Sequence, residues 1–169
     1  KYLLEIKTLK RDELSIFKKI TSDTCDRREF QDKTLKYYED MFDTFKDQVT
    51  FKVCELNCDK YINHLIEENK ELERKVLELS DSSSNKKKKE VMKQDIENNK
   101  KHIDEVKELK ETKGNNIPLS GAMFMLYGDE IVYLFSGSYE EYMKYYGQYR
   151  LQWEIIKYAA DHSYKRYNF

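Results

Sequence analysis

Three groups of residues in this 169-residue chain have side chains that could do chemistry: thiols, imidazoles and a block of lysines. The cysteines are Cys25, Cys54 and Cys58. Cys54 and Cys58 stand four apart, with no second pair to complete a metal site. An odd count without framework spacing reads as reduced thiols in a cytosolic protein, packed as small hydrophobes. No metal site and no cofactor are expected. His64 and His102 fall in a charged central stretch, and His162 falls in a helix-end turn near the C-terminus. No Ser–His or Cys–His arrangement supplies a nucleophile, so all three read as solvated or capping residues. Lys86, Lys87, Lys88 and Lys89 are four consecutive cations after a turn-forming stretch. They read either as contacts to a phosphate backbone, which dominate nucleic-acid affinity, or as a solubilising tip beside Glu90.

The elements that must position these groups follow from composition and period. Charged residues make up 37% of the chain and mean hydropathy is −0.91, so part of the molecule must be solvated on most sides. A net charge of −1 neither favours nor excludes nucleic acid. The length suffices for one buried core. No apolar run is long enough to span a bilayer, and residues 1–10 do not form a signal peptide.

Residues 2–9 read as a strand. Asp12 is the expected N-cap of a helix with Leu14, Phe17 and Ile20 on one face. Residues 21–26 read as a polar loop, and a second helix is expected from about Arg28 to Phe45, with Phe30, Leu35, Tyr38, Met41, Phe42 and Phe45 inward. Val49–Leu56 alternates like a half-buried strand. From Asp59 to Lys113 charge dominates, and two helical patterns flank a turn over residues 80–85. Ile62, Leu65, Asn69, Leu72, Val76 and Leu79 recur at steps of three and four. So do Met92, Ile96, Asn99, Ile103, Val106 and Leu109, apart from one extra step of three at the end. Folding back near Ser84 pairs Ile62 with Val106, Leu65 with Ile103, Leu72 with Ile96 and Val76 with Met92. It also sets the polar Asn69 beside the polar Asn99. The expectation is an antiparallel coiled-coil hairpin whose register that pair fixes.

Gly114 reads as a helix stop and residues 115–118 as a loop. Strands are expected over Ser120–Tyr127 and Ile131–Phe135, joined by Gly128-Asp129-Glu130. Residues 136–138 read as a small-residue turn. A helix then runs from Gly147 or Gln148 to Ala160, with Trp153 and Tyr158 in the core and Glu154 a candidate partner of Arg166. Residues 164–169 begin another strand. The order strand, helix, helix, strand, then strand, strand, helix, strand is that of a GNAT-like α/β domain (α+β in its segregation) with an insertion. Order alone is a weak warrant for function.

The stretch after the hairpin is more specific. Ser136-Gly137-Ser138 at a strand end, the tyrosine-rich Tyr142–Tyr149, the helix Leu151–Ala159 and Arg166-Tyr167-Asn168-Phe169 together resemble the Fem (FemABX) family of peptidoglycan aminoacyltransferases. Leu35–Asp40 is also similar. The resemblance covers nearly the whole chain. It implies two GNAT-like subdomains in the complete protein, this chain being the second, with residues 1–58 and 114–169 forming the subdomain and 59–113 a coiled-coil arm. It implies transfer of an amino acid from aminoacyl-tRNA to the stem-peptide amine of a lipid-linked or nucleotide-linked precursor, without a cofactor. Catalysis would be assisted by a basic residue beyond Phe169, so this piece alone would be inactive. Arg27 or Arg28, Arg27 preferred, stands where the family has an arginine that helps hold the precursor. Tyr145, Tyr146 and Tyr149 become candidates for the substrate groove, and Lys86–Lys89 for tRNA contact. Transient association with a membrane surface and dimerisation with itself or a sister enzyme are further implications.

The competing reading is a coiled-coil scaffold on a degenerate transferase fold. An acyl-CoA transferase is disfavoured because no Gly-rich pyrophosphate loop separates a strand from a helix.

Overall fold

In the computed structural model, residues 3–80 and 82–169 are described, the side chains of residues 83 and 84 excepted. Tyr2 of the expected first strand and Asp81 of the expected turn lie outside that set. The chain forms β1 (Leu4–Thr8), α1 (Leu14–Arg28), α2 (Leu35–Phe45), β2 (Val49–Asn57), α3 (Cys58–Glu78), α4 (Ser83–Lys113), β3 (Asn116–Tyr127), β4 (Glu130–Ser138), α5 (Gly147–Asp161) and β5 (Arg166–Asn168). Two compact units result, one built mainly from residues 57–117 and the other from residues 4–56 and 118–169.

The second unit is a five-stranded sheet in the order β1-β2-β3-β4-β5. β1 pairs with β2 and β3 with β4 in antiparallel fashion, while β5 runs parallel to β4. The two-residue period of the strands sorts the core onto two faces. Val49, Phe51, Val53 and Met123 join Leu14, Phe17, Ile20 and Tyr38 from the α1/α2 layer. Cys54, Ala122, Phe124 and Ile131 join Leu151, Ile155 and Ala159 of α5. Phe17 makes edge-to-face contacts with Tyr38 at 5.0 Å and with Phe51 at 5.2 Å.

Several sequence expectations give way here. Residues 21–26 are helical, not a loop, because Thr21 and Ser22 donate their hydroxyls back to the Lys18 carbonyl, at 3.0 and 2.8 Å. That back-bonding makes a polar stretch compatible with a helix. α2 therefore starts at Leu35 rather than Arg28, capped by Thr34, whose hydroxyl accepts from the Tyr37 N–H at 3.1 Å. Phe30 lies in the intervening loop and is 65% exposed, not inward. Asp12 does not cap α1; it lies in a short 3-10 turn, where the Glu13 carboxylate accepts from the Lys10 N–H at 3.0 Å. Residues 116–118 belong to β3, and residues 136–138 are the end of β4 rather than a turn. The glycine there serves close packing: a Cβ on Gly137 would lie 2.6 Å from the Ile20 carbonyl oxygen of α1. Trp153 is 59% exposed on α5, outside the core, and Tyr158 is half-buried beside it. Glu154 pairs with Arg150 and Lys157, while Arg166 pairs with Asp129.

The first unit is two long helices lying back along one another. Of the seam residues, Leu65, Asn69, Ile96, Ile103 and Val106 are buried. The Asn99 side-chain amide donates to the Asn69 carbonyl oxygen at 2.9 Å, as the register argument requires. Lys110 meets Asp59 at 2.6 Å toward the other end. The Asn57 side chain caps α3 by accepting from the Lys60 N–H, and Gly114, at φ 92°, ends α4. α4 starts at Ser83, so the connection is shorter than the six-residue turn read from composition.

Candidate functional site

The C-terminal half of α1 meets the end of β4, and an open cavity of about 480 Å³ forms at the junction. Thr24, Cys25, Arg27, Arg28 and Phe30 line one side, with Tyr133, Leu134, Phe135, Ser138 and Gln148 on the other. A β-bulge shapes the strand wall. Met123 pairs with Phe135 and Phe124 pairs with Tyr133, so Leu134 is an extra residue in β4. Such a bulge bends the strand and re-aims its side chains.

Hydrogen bonds lock the wall. The Ser138 N–H donates to Thr24 Oγ1 at 2.9 Å, and the Ser138 carbonyl accepts from Arg27 Nη2 at 3.0 Å. Gln148 Nε2 donates to the Gly137 carbonyl at 2.6 Å, and the Tyr133 hydroxyl donates to Gln148 Oε1 at 2.9 Å. Arg27 is thus held at one end of its guanidinium. Its Nε is buried without a hydrogen-bond partner. The nearest acid, Glu140, stands 3.9 Å away on an exposed side chain, beyond hydrogen-bonding reach. The two charged residues lining the cavity are both arginines. A guanidinium fixed at the wall of a cavity that has no acidic lining suits an anionic group.

The cavity holds no activated nucleophile. Burial, with the nearby Asp32 charge, pushes the Cys25 thiol above its ordinary value. Burial also raises the Tyr133 phenol, with hydrogen bonding to Ser136 and Gln152 opposing it. Burial pushes the Cys54 thiol up to about 12. All three stay protonated near neutral pH, and thiols in that state are inert. All three cysteines are free. His162 stacks on Tyr158 at 3.9 Å, away from the cavity lining. Among the described residues no cluster of His, Cys, Asp and Glu could hold a metal, and no helix is long and apolar enough to cross a membrane.

The residues singled out from sequence separate. Arg27 and Arg28 line the large cavity. Tyr146 and Tyr149 line a smaller one of about 70 Å³ at the start of α5, which shares Ser138, Met143 and Gln148 with the first. Tyr145 is buried and lines neither, with the Lys144 ammonium 5.5 Å over its ring. Lys86–Lys89 occupy the opening of α4, with Lys86, Lys87 and Lys88 exposed. That helix has no acidic residue in its first turn, so the lysines add to the positive end of its dipole. Sequence reasoning missed Thr24, Gln148 and Ser120. Thr24 and Ser138 are 114 positions apart and no local pattern joins them.

A family model described as the FemAB family matches residues 1–169. The chain belongs to that family. It is 33% identical to "Aminoacyltransferase FemA" of Staphylococcus epidermidis (strain ATCC 35984) over 98% of its length and 42% of the relative's. It is likewise 33% identical to the FemA of Staphylococcus aureus (strain MW2), covering 41% of that protein. Its fold matches a solved structure titled "Crystal structure of FemX", with a TM-score of 0.83 at 22% identity, over 98% of this chain and 44% of the other. The chain therefore spans less than half the length of the relatives it matches.

Proposed function

We propose that the protein carrying this chain is a cytoplasmic aminoacyltransferase that moves an amino acid from aminoacyl-tRNA to the stem-peptide amine of a peptidoglycan precursor, building the interpeptide bridge. In this reading residues 4–56 and 118–169 are a GNAT-like subdomain, and α3 and α4 form a coiled-coil arm inserted in it. The observation that carries the reading is the family membership of the whole chain, joined to a two-arginine cavity that suits a diphosphate-linked acceptor. Amine attack on the tRNA ester needs no protein nucleophile, because the ester is already activated. It needs donors or a cation where charge develops on the carbonyl oxygen. The absence of an activated thiol or histidine in the cavity agrees with such chemistry. Arg27 holds the anionic precursor, with Tyr146 and Tyr149 extending the groove, and Lys86–Lys89 contact the tRNA backbone.

The test is transfer of labelled glycine, alanine and serine from charged tRNA to lipid-linked precursor by the full-length protein. Arg27→Ala should raise the precursor KM at least roughly tenfold, the worth of a charge-assisted bond, and leave the tRNA KM unchanged. Changing Lys86–Lys89 to Ser should do the reverse and flatten the salt dependence. A folded full-length protein that transfers none of the three amino acids to intact precursor would overturn the reading.

A further inference from the structure

The small cavity at the start of α5 contains a feature that the larger one does not explain. The Ser120 side chain is 1% exposed, and its hydroxyl has no hydrogen-bond partner. Buried hydroxyls are almost always paired, and an unpaired one in a native protein points to a missing ligand or water. Ser120 lines the cavity of about 70 Å³ together with Tyr142, Tyr146, Gly147, Gln148 and Tyr149. Its oxygen faces Gly147 at close range: a Cβ on Gly147 would sit 2.5 Å from it. Any side chain at position 147 would therefore close the space that the glycine leaves open.

The same spot is the N-terminus of a 15-residue helix. The Tyr146 carbonyl accepts from the Tyr149 and Arg150 N–H groups. The N–H groups of Gly147 and Gln148, the first two residues of the helix, have no partner within it. Tyr146 adopts a left-handed conformation, φ 60°, and offers no side-chain cap. No acidic residue lines the cavity. Hydroxyl and amide donors thus converge at the positive end of a helix dipole. With about 70 Å³ against about 480 Å³ next door, there is room for a few heavy atoms and none for a diphosphate.

We infer that this cavity binds one compact oxyanion group, a carboxylate or a single phosphate, on the Ser120 hydroxyl and the first-turn amides of α5. The inference rests on this cavity alone and stands or falls independently of the transferase reading.

The chain as it is can be titrated with sodium acetate and with inorganic phosphate, followed by amide NMR, against sodium chloride and methylammonium chloride at matched ionic strength. Saturable shifts at Gly147, Gln148 and Ser120 with acetate alone assign a carboxylate site, and with phosphate alone a phosphate site. Neither chloride nor methylammonium should reproduce them. Ser120→Ala should weaken that binding roughly five- to tenfold, one hydrogen bond's worth. It should also raise the melting temperature of the ligand-free protein, because it deletes an unpaired buried hydroxyl. Gly147→Ala should abolish binding; if that variant fails to fold, Ser120→Ala decides alone. Shifts that track ionic strength whatever the anion, or equal binding by Ser120→Ala, would overturn the inference. So would a crystal structure in which a water bonded to Ser120 is displaced by neither anion.

Discussion

The Asn69–Asn99 pair allows a sharp test, because the two ends of one hydrogen bond sit in different environments. Asn69 is 7% exposed, whereas Asn99 is half-buried and also reaches the Glu68 carboxylate at 3.3 Å. Asn69→Leu would bury an apolar side chain almost fully, a gain of about 2 kcal/mol. It would lose two hydrogen bonds, the one from Asn99 and the one Asn69 donates to the Ile96 carbonyl at 3.4 Å, together about 2 kcal/mol, so the net change should be near zero. Asn99→Leu gains only about 1 kcal/mol at a half-exposed position. It strands the buried Asn69 carbonyl oxygen, which costs about 1–3 kcal/mol on top of the lost bond. That variant should be less stable than the wild type by about 1–3 kcal/mol. The double leucine variant leaves neither side-chain amide stranded and should be about 1 kcal/mol more stable than the wild type. Native-state hydrogen exchange at the α3 amides measures this locally, without assuming that the two units unfold together. The double variant should also show broadened α3 and α4 resonances, since the polar contact between the two helices is gone. If Asn99→Leu proves as stable as Asn69→Leu, or the double variant weaker than the wild type, the argument from burial is wrong.

Three further outcomes are expected. Burial tends to raise the Asp32 pKa, but hydrogen bonds from Lys18 and Ser22 outweigh it and hold the carboxyl below its ordinary value. A depressed folded pKa gives stability that is present above the unfolded value, roughly 3.9, and lost as pH falls through the lower folded one. Asp32→Asn should therefore lower the melting temperature at pH 7 and flatten its fall on acidification below about pH 4; a parallel fall would refute this. Gly137→Ala forces a methyl against the Ile20 carbonyl and should cost about 1–3 kcal/mol, read as a fall of about 2–12 °C in melting temperature. In mass-spectrometric alkylation at pH 8, half-buried Cys25 should label slowly, and buried Cys54 and Cys58 only in denaturant. Fast native labelling of Cys54 would contradict its burial.

The pairing of α3 with α4 was legible to the level of a single side-chain contact because its signal is periodic. Every third or fourth residue repeats one piece of information, and an exceptional Asn on each helix removes the register ambiguity. Strand and helix order in the other unit was legible for the same reason. The failures cluster where a polar segment has a choice that local chemistry does not settle. Residues 21–26 and 136–138 carry loop-like composition, yet one is helix and the other strand. α1 and β4 pack against each other through Gly137, and a contact between residues so distant in sequence leaves no mark in either segment. Trp153 misled for the opposite reason: a large aromatic on a helix reads as core, while Leu151, Ile155 and Ala159 carry the buried face of α5.

The misread segment matters to function more than its length suggests. Were residues 21–26 a loop, Arg27 and Arg28 would both ride on mobile backbone and either could serve the cavity. Because α1 runs unbroken to Arg28, helical geometry places Thr24 and Arg27 three residues apart on one face, and both reach Ser138. Arg28 falls on the next position round the helix and remains exposed. The helix thus distinguishes two adjacent, chemically identical residues: Arg27 is anchored to the Ser138 carbonyl, and Arg28 is free to swing. An anchored guanidinium loses less freedom when it meets an anion than a mobile one does. For that reason Arg27→Lys should recover less binding than its conserved charge suggests, because an ammonium cannot hold the Ser138 carbonyl and a ligand in the same fork geometry.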